Sequence, residues 1–174
     1  MLRKIPYYKL LLFVLLIVGC SKEPINYEEM LNERDGIFYT KDTNKPYSGP
    51  VFSLYEDGKK KDEGTLKDGK MISRTEWEWY SNGQKKRERT IKDGKLNGLW
   101  TWWYENGEKI SEGTNKDGKQ DGKWTSWYEN GQKKAEVTYK DGEWDGKWTE
   151  WYENGQKWKE RAYKDGVLIE KIEF

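Results

Sequence analysis

Gly122-Lys-Trp-Thr-Ser-Trp-Tyr-Glu-Asn-Gly-Gln-Lys-Lys-Ala-Glu-Val-Thr-Tyr-Lys-Asp-Gly142 holds the fold in miniature. Lys123 to Glu129 has strand formers at most positions, and Gln132 to Lys140 reads as a returning strand. Asn130-Gly131 between them is a strong hairpin signal, and Asp141-Gly142 turns the chain again, as Asp121-Gly122 is expected to do one unit earlier. A type I′ turn at Asn130-Gly131 would set Glu129 opposite Gln132, Ser126 opposite Ala135 and Trp124 opposite Val137. Alternation then places Trp124, Ser126, Tyr128, Ala135, Val137 and Tyr139 on one face, expected to be the buried one. Thr125, Trp127, Lys134, Glu136 and Thr138 share the other, polar face.

The stretch is one of a series. Tyr80-Ser-Asn-Gly83, Tyr104-Glu-Asn-Gly107, Tyr128-Glu-Asn-Gly131 and Tyr152-Glu-Asn-Gly155 recur at intervals of 24 residues, each followed by a Lys-Asp-Gly that ends at Gly94, Gly118, Gly142 or Gly166. Such a period marks small units that bury apolar surface only by stacking on their neighbours. The expected architecture is all-β: an elongated antiparallel meander of repeated hairpins of about 24 residues. Projected through the period, Trp100, Trp124 and Trp148 form one column on the first face, and Tyr80, Tyr104, Tyr128 and Tyr152 another. Trp79, Trp103, Trp127 and Trp151 form a column on the second face. Glu88, Glu112, Glu136 and Glu160 should run beside it, with lysines at 86, 134 and, out of step, 159.

The series frays at both ends. Tyr55-Glu-Asp-Gly58 starts an earlier unit, but Tyr80 comes 25 residues later, so one residue is inserted between Lys70 and Trp79. Glu76 stands where the first tryptophan column would continue. Ile37 to Leu66 reads as a divergent opening unit with a bend at Pro46 to Gly49. Val167 to Phe174 reads as a last strand with Leu168, Ile172 and Phe174 inward and charges protecting the edge.

Charged residues make up 36% of the 174 residues and the mean hydropathy is −1.17, but 11 Trp and 12 Tyr argue against disorder. Histidine is absent and Cys20 is the sole cysteine, which excludes a Ser-His-Asp triad, a Cys-His pair, His-ligated metal and an internal disulfide. The acids mostly recur with the period and do not converge with unlike groups, so no enzyme is expected. Asp117 to Gly122 and Asp141 to Gly146 have calcium-loop overtones, but lysines flank each Asp-Gly and tight turns account for the dipeptides. Neither a metal nor another cofactor is expected.

The first 19 residues read as an export signal: Arg3, Lys4 and Lys9, then an unbroken apolar run from Leu10 to Val18, too short for the roughly 20 residues of a membrane span. Without those three cations, 29 basic side chains face 31 acidic ones, and nothing in that balance favours nucleic acid. Ile17-Val18-Gly19-Cys20 resembles the bacterial lipobox, which implies cleavage before Cys20 and acylation there with chains of the palmitate kind. Several such chains make a stable membrane anchor. Ser21 and Lys22 are not the aspartate that retains lipoproteins at an inner membrane, so the resemblance favours an outer membrane of the cell envelope. The expected layout is signal peptide 1–19, lipidated tether 20–35 with a short helix near Tyr27 to Asn32, and repeat domain 36–174.

The unit Gly-Lys-Trp-x-x-Trp-Tyr-Glu-Asn-Gly-Gln-Lys-Lys-x-Glu-x-x-Tyr-Lys-Asp-Gly resembles the MORN-repeat variant of bacteria and, more closely, the YwqK-type antitoxin family. Gly36-Ile-Phe-Tyr39 and Lys45-Pro-Tyr-Ser-Gly49 resemble that family's first unit. The resemblance implies a β-meander and, for some members, neutralisation of a toxin; export would move that role to the envelope. The expected function is a membrane-anchored protein-binding module, with a toxin or an envelope component as partner. Trp79, Trp103, Trp127 and Trp151, with Glu112 and Glu136, are the candidate contact residues. Aromatic rows would also suit a cell-wall glycan, and an inert surface spacer would need neither.

Overall fold

A computed structural model describes residues 22–174; the export segment 1–19 and Cys20 lie outside them. The elements are β1 (Ile25–Asn26), α1 (Tyr27–Met30), β2 (Leu31–Arg34), β3 (Ile37–Thr40), β4 (Gly49–Leu54), β5 (Lys60–Lys67), β6 (Lys70–Trp79), β7 (Lys85–Lys92) and β8 (Lys95–Trp103). They continue with β9 (Lys109–Lys116), β10 (Lys119–Gln120), β11 (Gly122–Trp127), β12 (Lys133–Lys140), β13 (Glu143–Trp151), β14 (Lys157–Lys164) and β15 (Val167–Glu173). From β4 onward the strands pair antiparallel in chain order within one 13-stranded sheet, with β10 and β11 both on β9. β1 adds to β4 in parallel, and β2–β3 form a separate hairpin.

Two kinds of corner build the meander. At the Asp-Gly corners both residues have positive φ, as at Asp141 (52°) and Gly142 (92°), and Lys140 faces Glu143 across a two-residue type I′ turn. The Asn-Gly corners differ from the expectation. Gly131 has φ 81° but Asn130 is not left-handed; Tyr128 N–H donates to the Gln132 carbonyl at 2.8 Å and Gly131 N–H to the Tyr128 carbonyl at 3.0 Å. This is a three-residue loop, a type I turn closed by a left-handed glycine, so Glu129 does not face Gln132. One residue beyond the loop Trp127 faces Lys133, and then Ser126 faces Ala135, which leaves Lys134 bulged out. The bulge restores the body register, and Trp124 faces Val137 as the spacing predicts. Asp121-Gly122 is not a corner: Asp121 N–H donates to the Thr114 carbonyl and the chain continues along β9 as a bulge.

The sheet is a single layer. Among the described residues the buried apolar side chains are Leu31, Val51, Leu66, Trp77 and Tyr163. The face expected to be buried is therefore only half-buried, and so are Thr125 and Trp127 on the other. Rings pack against rings along the first face instead. Trp100 meets Trp124 edge-on at 6.1 Å, and Trp144 lies 4.9 Å from both Trp148 and Tyr163.

The N-terminal end carries the compact core. Leu31, Val51 and Leu66 pack with Ile25, Tyr27, Phe38, Tyr47 and Met71. Residues 22–35, read as part of a tether, are thus folded as a cap on the first strands, because Ile25, Tyr27 and Leu31 supply apolar surface. The Tyr27 hydroxyl donates to Asp62 at 2.8 Å, and burial pushes its ionisation up to about 12. At the other end Leu168, Ile172 and Phe174 are exposed (48%, 43% and 64%), not inward, since no second layer covers β15.

The inserted residue leaves a step. In regular units a bulge of two residues precedes the upper strand, as between Val137–Trp148 and Tyr139–Trp144, and Trp148 lies four residues before Tyr152. Between β5 and β6 the bulge is one residue, Gly64 faces Arg74, and Arg74 lies six before Tyr80. The first loop is set back by two residues, about 6.6 Å along the strand.

Candidate functional site

On the second face, cross-strand pairing sets Trp79 against Lys85, Trp103 against Lys109, Trp127 against Lys133 and Trp151 against Lys157. Trp and Lys therefore alternate along one row. A second row runs beside it in the same order of pairing: Trp77, Glu88, Thr101, Glu112, Thr125, Glu136, Thr149 and Glu160. The lysines tie the rows together. Lys85 reaches Glu88 at 2.8 Å, Lys109 reaches Glu112 at 2.5 Å, Lys133 reaches Glu136 at 2.8 Å and Lys157 reaches Glu160 at 2.6 Å. The hydrogen bond from its lysine holds Glu136 below the usual carboxylate range, and Lys157 does the same for Glu160. Thr101 and Thr149 are buried between the acids and bond to Glu112 and Glu160.

Three of these lysines also lie over the indole of the next hairpin, Lys85 over Trp103 at 5.7 Å, Lys109 over Trp127 at 5.7 Å and Lys133 over Trp151 at 5.6 Å, and Lys157 lies over the Phe174 ring at 5.8 Å. One face of each ring is thus occupied. The indole N–H of Trp79 donates to the Lys60 carbonyl at 2.7 Å. Those of Trp103, Trp127 and Trp151 make no hydrogen bond among the described residues and are not buried. Successive tryptophans of the row lie two strands apart, about 9.5 Å.

All six candidate contact residues fall where the period places them: four rings in one row, Glu112 and Glu136 in the next. The lysines do not. Lys86 and Lys134 lie over Tyr80 and Tyr128, because the bulge beside each loop sends them to the first face; Lys159 pairs with Glu150, a first-face position, and lies over Trp158. Lys85, Lys109, Lys133 and Lys157, which the spacing argument missed, take the second-face positions. The signal that could have found them is the asparagine-glycine loop read as three residues instead of two.

The loops are linked in the same one-to-next manner. Tyr80, Tyr104 and Tyr128 donate their hydroxyls to the carbonyls of Trp103, Trp127 and Trp151 at 2.7, 3.2 and 2.9 Å. Asn82, Asn106 and Asn130 donate side-chain amides to the carbonyls of Glu105, Glu129 and Glu153, while their oxygens accept from the backbone two residues on. The Tyr-x-Asn-Gly motif is accounted for by these bonds and belongs to the scaffold that fixes the row.

The family model of the MORN repeat variant matches residues 96–117, 120–141 and 144–165. Each matched stretch is one unit of the meander, beginning beside an Asp-Gly corner and ending at the next. No curated protein and no solved structure matches the chain.

Proposed function

We propose that this array, three of whose units match the MORN variant, is a protein-binding module held in a bacterial envelope through acylated Cys20, with a toxin or an envelope component as partner. The row of Trp103, Trp127 and Trp151, with Trp79 at its head, is the contact surface. The observation that carries this is the set of three unpartnered indole N–H groups, fixed at one pitch by lysines that are themselves fixed by acids. Rigid aromatic side chains that keep a free donor make strong anchors, because little rotamer entropy is lost on contact. Glu112 and Glu136 hold those lysines in place. No helix of the described residues is long and apolar enough to cross a membrane; in this reading the acyl chains on Cys20 supply the attachment.

The regular pitch also suits a linear glycan with a disaccharide repeat. Against that, sugar stacking needs open ring faces, and one face of each of these rings carries an ammonium group. Affinity capture from envelope extracts with the wild type and with a Trp103→Ala/Trp127→Ala variant tests the reading. A partner recovered by the wild type and depleted at least about tenfold by the variant is expected if each ring contributes as a typical anchor. Equal recovery of every protein, with unchanged stability, would leave the row without a role and favour a spacer.

A further inference from the structure

The two-residue step between the first two loops breaks the pattern that covers every later ring. Lys60 is the counterpart of Lys85, Lys109 and Lys133, and in a regular unit it would lie over Trp79. It lies over Trp77 instead, at 5.5 Å, and no lysine or arginine among the described residues lies over Trp79. Tyr55 shows the same displacement: its hydroxyl reaches the Trp77 carbonyl, where regular units would direct it to Trp79. The step opens a cleft of about 710 Å³ between the loops, walled by Tyr55, Trp79 and Tyr80.

Three carboxylates line the same cleft: Glu56, Asp57 and Glu78. Asp57 is paired with Lys59 at 2.7 Å and Glu78 with Arg87, and Lys86, also in the wall, lies over Tyr80. Glu56 makes no ion pair among the described residues. The cleft therefore combines an uncovered indole with a carboxylate that has no cation. At the following rings of the row, Trp103, Trp127 and Trp151, a lysine covers one face and also binds Glu88, Glu112 or Glu136 of the neighbouring row. Lys60 already makes the equivalent pair with Glu63, so Glu56 is a carboxylate additional to that pattern.

We propose that the cleft at the step receives a lysine or arginine side chain from the protein partner, which stacks on Trp79 and pairs with Glu56. The choice of occupant rests on the protein-binding reading; the vacancy does not. The cation supplies over Trp79 the ring contact that the chain's own lysines make in the following units, with Glu56 as its counter-ion, and it would fix where along the array the partner begins.

The test is titration of the full chain, in detergent micelles, with a blocked Gly-Lys-Gly-Lys-Gly peptide, followed by amide and indole shifts in nuclear magnetic resonance. Saturable shifts confined to residues 55–59 and 79–81 are expected. Glu56→Gln should weaken binding, and Trp79→Leu should weaken it by about two- to fivefold, the range of an exposed cation–ring contact. Changing Ile72→Asn and Ser73→Gly with Arg74 deleted reproduces the regular Lys-x-Asn-Gly bulge, returns Lys60 to Trp79 and should abolish binding. Glu170→Gln, on β15 and outside both the row and the cleft, should leave the peptide affinity unchanged; because the peptide reads the cleft alone, a failed capture experiment on the long row is distinguishable from a failed cleft. Shifts spread over the whole sheet, equal binding of a Gly-Glu-Gly-Glu-Gly peptide, or saturation by a chitin oligosaccharide at the same residues would overturn the assignment. So would an unaltered affinity in Glu56→Gln, a variant that removes a surface charge without removing packing.

Discussion

At the scale of single residues, the chain repeats side chains that reach forward. Tyr128 sits at the start of its loop and spends its hydroxyl on the Trp151 carbonyl, one unit away. Tyr152 has the same place in its own loop, is 51% exposed, and its hydroxyl makes no hydrogen bond among the described residues. Tyr128→Phe should therefore destabilise the fold by about 0.5–1.5 kcal/mol, the net worth of a hydrogen bond, while Tyr152→Phe should be nearly neutral. Urea unfolding followed by circular dichroism distinguishes them, and equal effects would contradict the linkage. The tyrosine column was legible in the spacing. The bond was not, since alternation along a strand says which face a ring takes but not which carbonyl its hydroxyl meets.

At the scale of elements, the bulges decide which residues share a face. The body register of each hairpin was readable from the sequence, because Ser126 opposite Ala135 satisfies either loop length once the bulge is counted. The identity of the second-face lysines was not, because a loop read one residue short exchanges Lys133 with Lys134. The missing glycine-containing bulge in β6 was visible as a 25-residue interval, but its consequence, a loop set back along the strand, needs the pairing of Gly64 with Arg74. Gly113 shows how far neighbouring strands depend on one another. A Cβ there would meet the Trp124 ring at 2.2 Å, since the indole lies on the bare backbone. Gly113→Ala should cost about 1–3 kcal/mol, as other overpacked sites do, and should shift the near-ultraviolet dichroism as Trp124 is lifted. An unchanged melting temperature would mean the ring does not rest there.

At the scale of the whole molecule, contacts run from each unit to the next. Among the described residues the compact core lies at the N-terminal end, where Leu31, Val51 and Leu66 meet. The polar composition announced this absence of a central core, although the reading of one face as buried overstated what a single layer covers. Such an array should tolerate the loss of a unit. Deleting Lys119 to Gly142 joins Gly118 to Glu143 and recreates an Asp-Gly-Glu corner like the native one at Asp141. The shortened chain should keep its β-sheet dichroism and lose two strand spacings, about 9.5 Å of length in small-angle scattering. Collapse to an unfolded chain would show that stability is global after all.

Tyr152 and Asn154 hold, at the last loop, the groups that the three loops before it pass to their successors, and Asn154 turns its amide to Gln156. β15 is already the first half of a further hairpin, so a designer could graft a copied unit behind Phe174 and find its anchoring points waiting. The protein is in that sense a ruler with its next graduation already scribed, and lengthening its reach would ask little more than that Asn154 release Gln156.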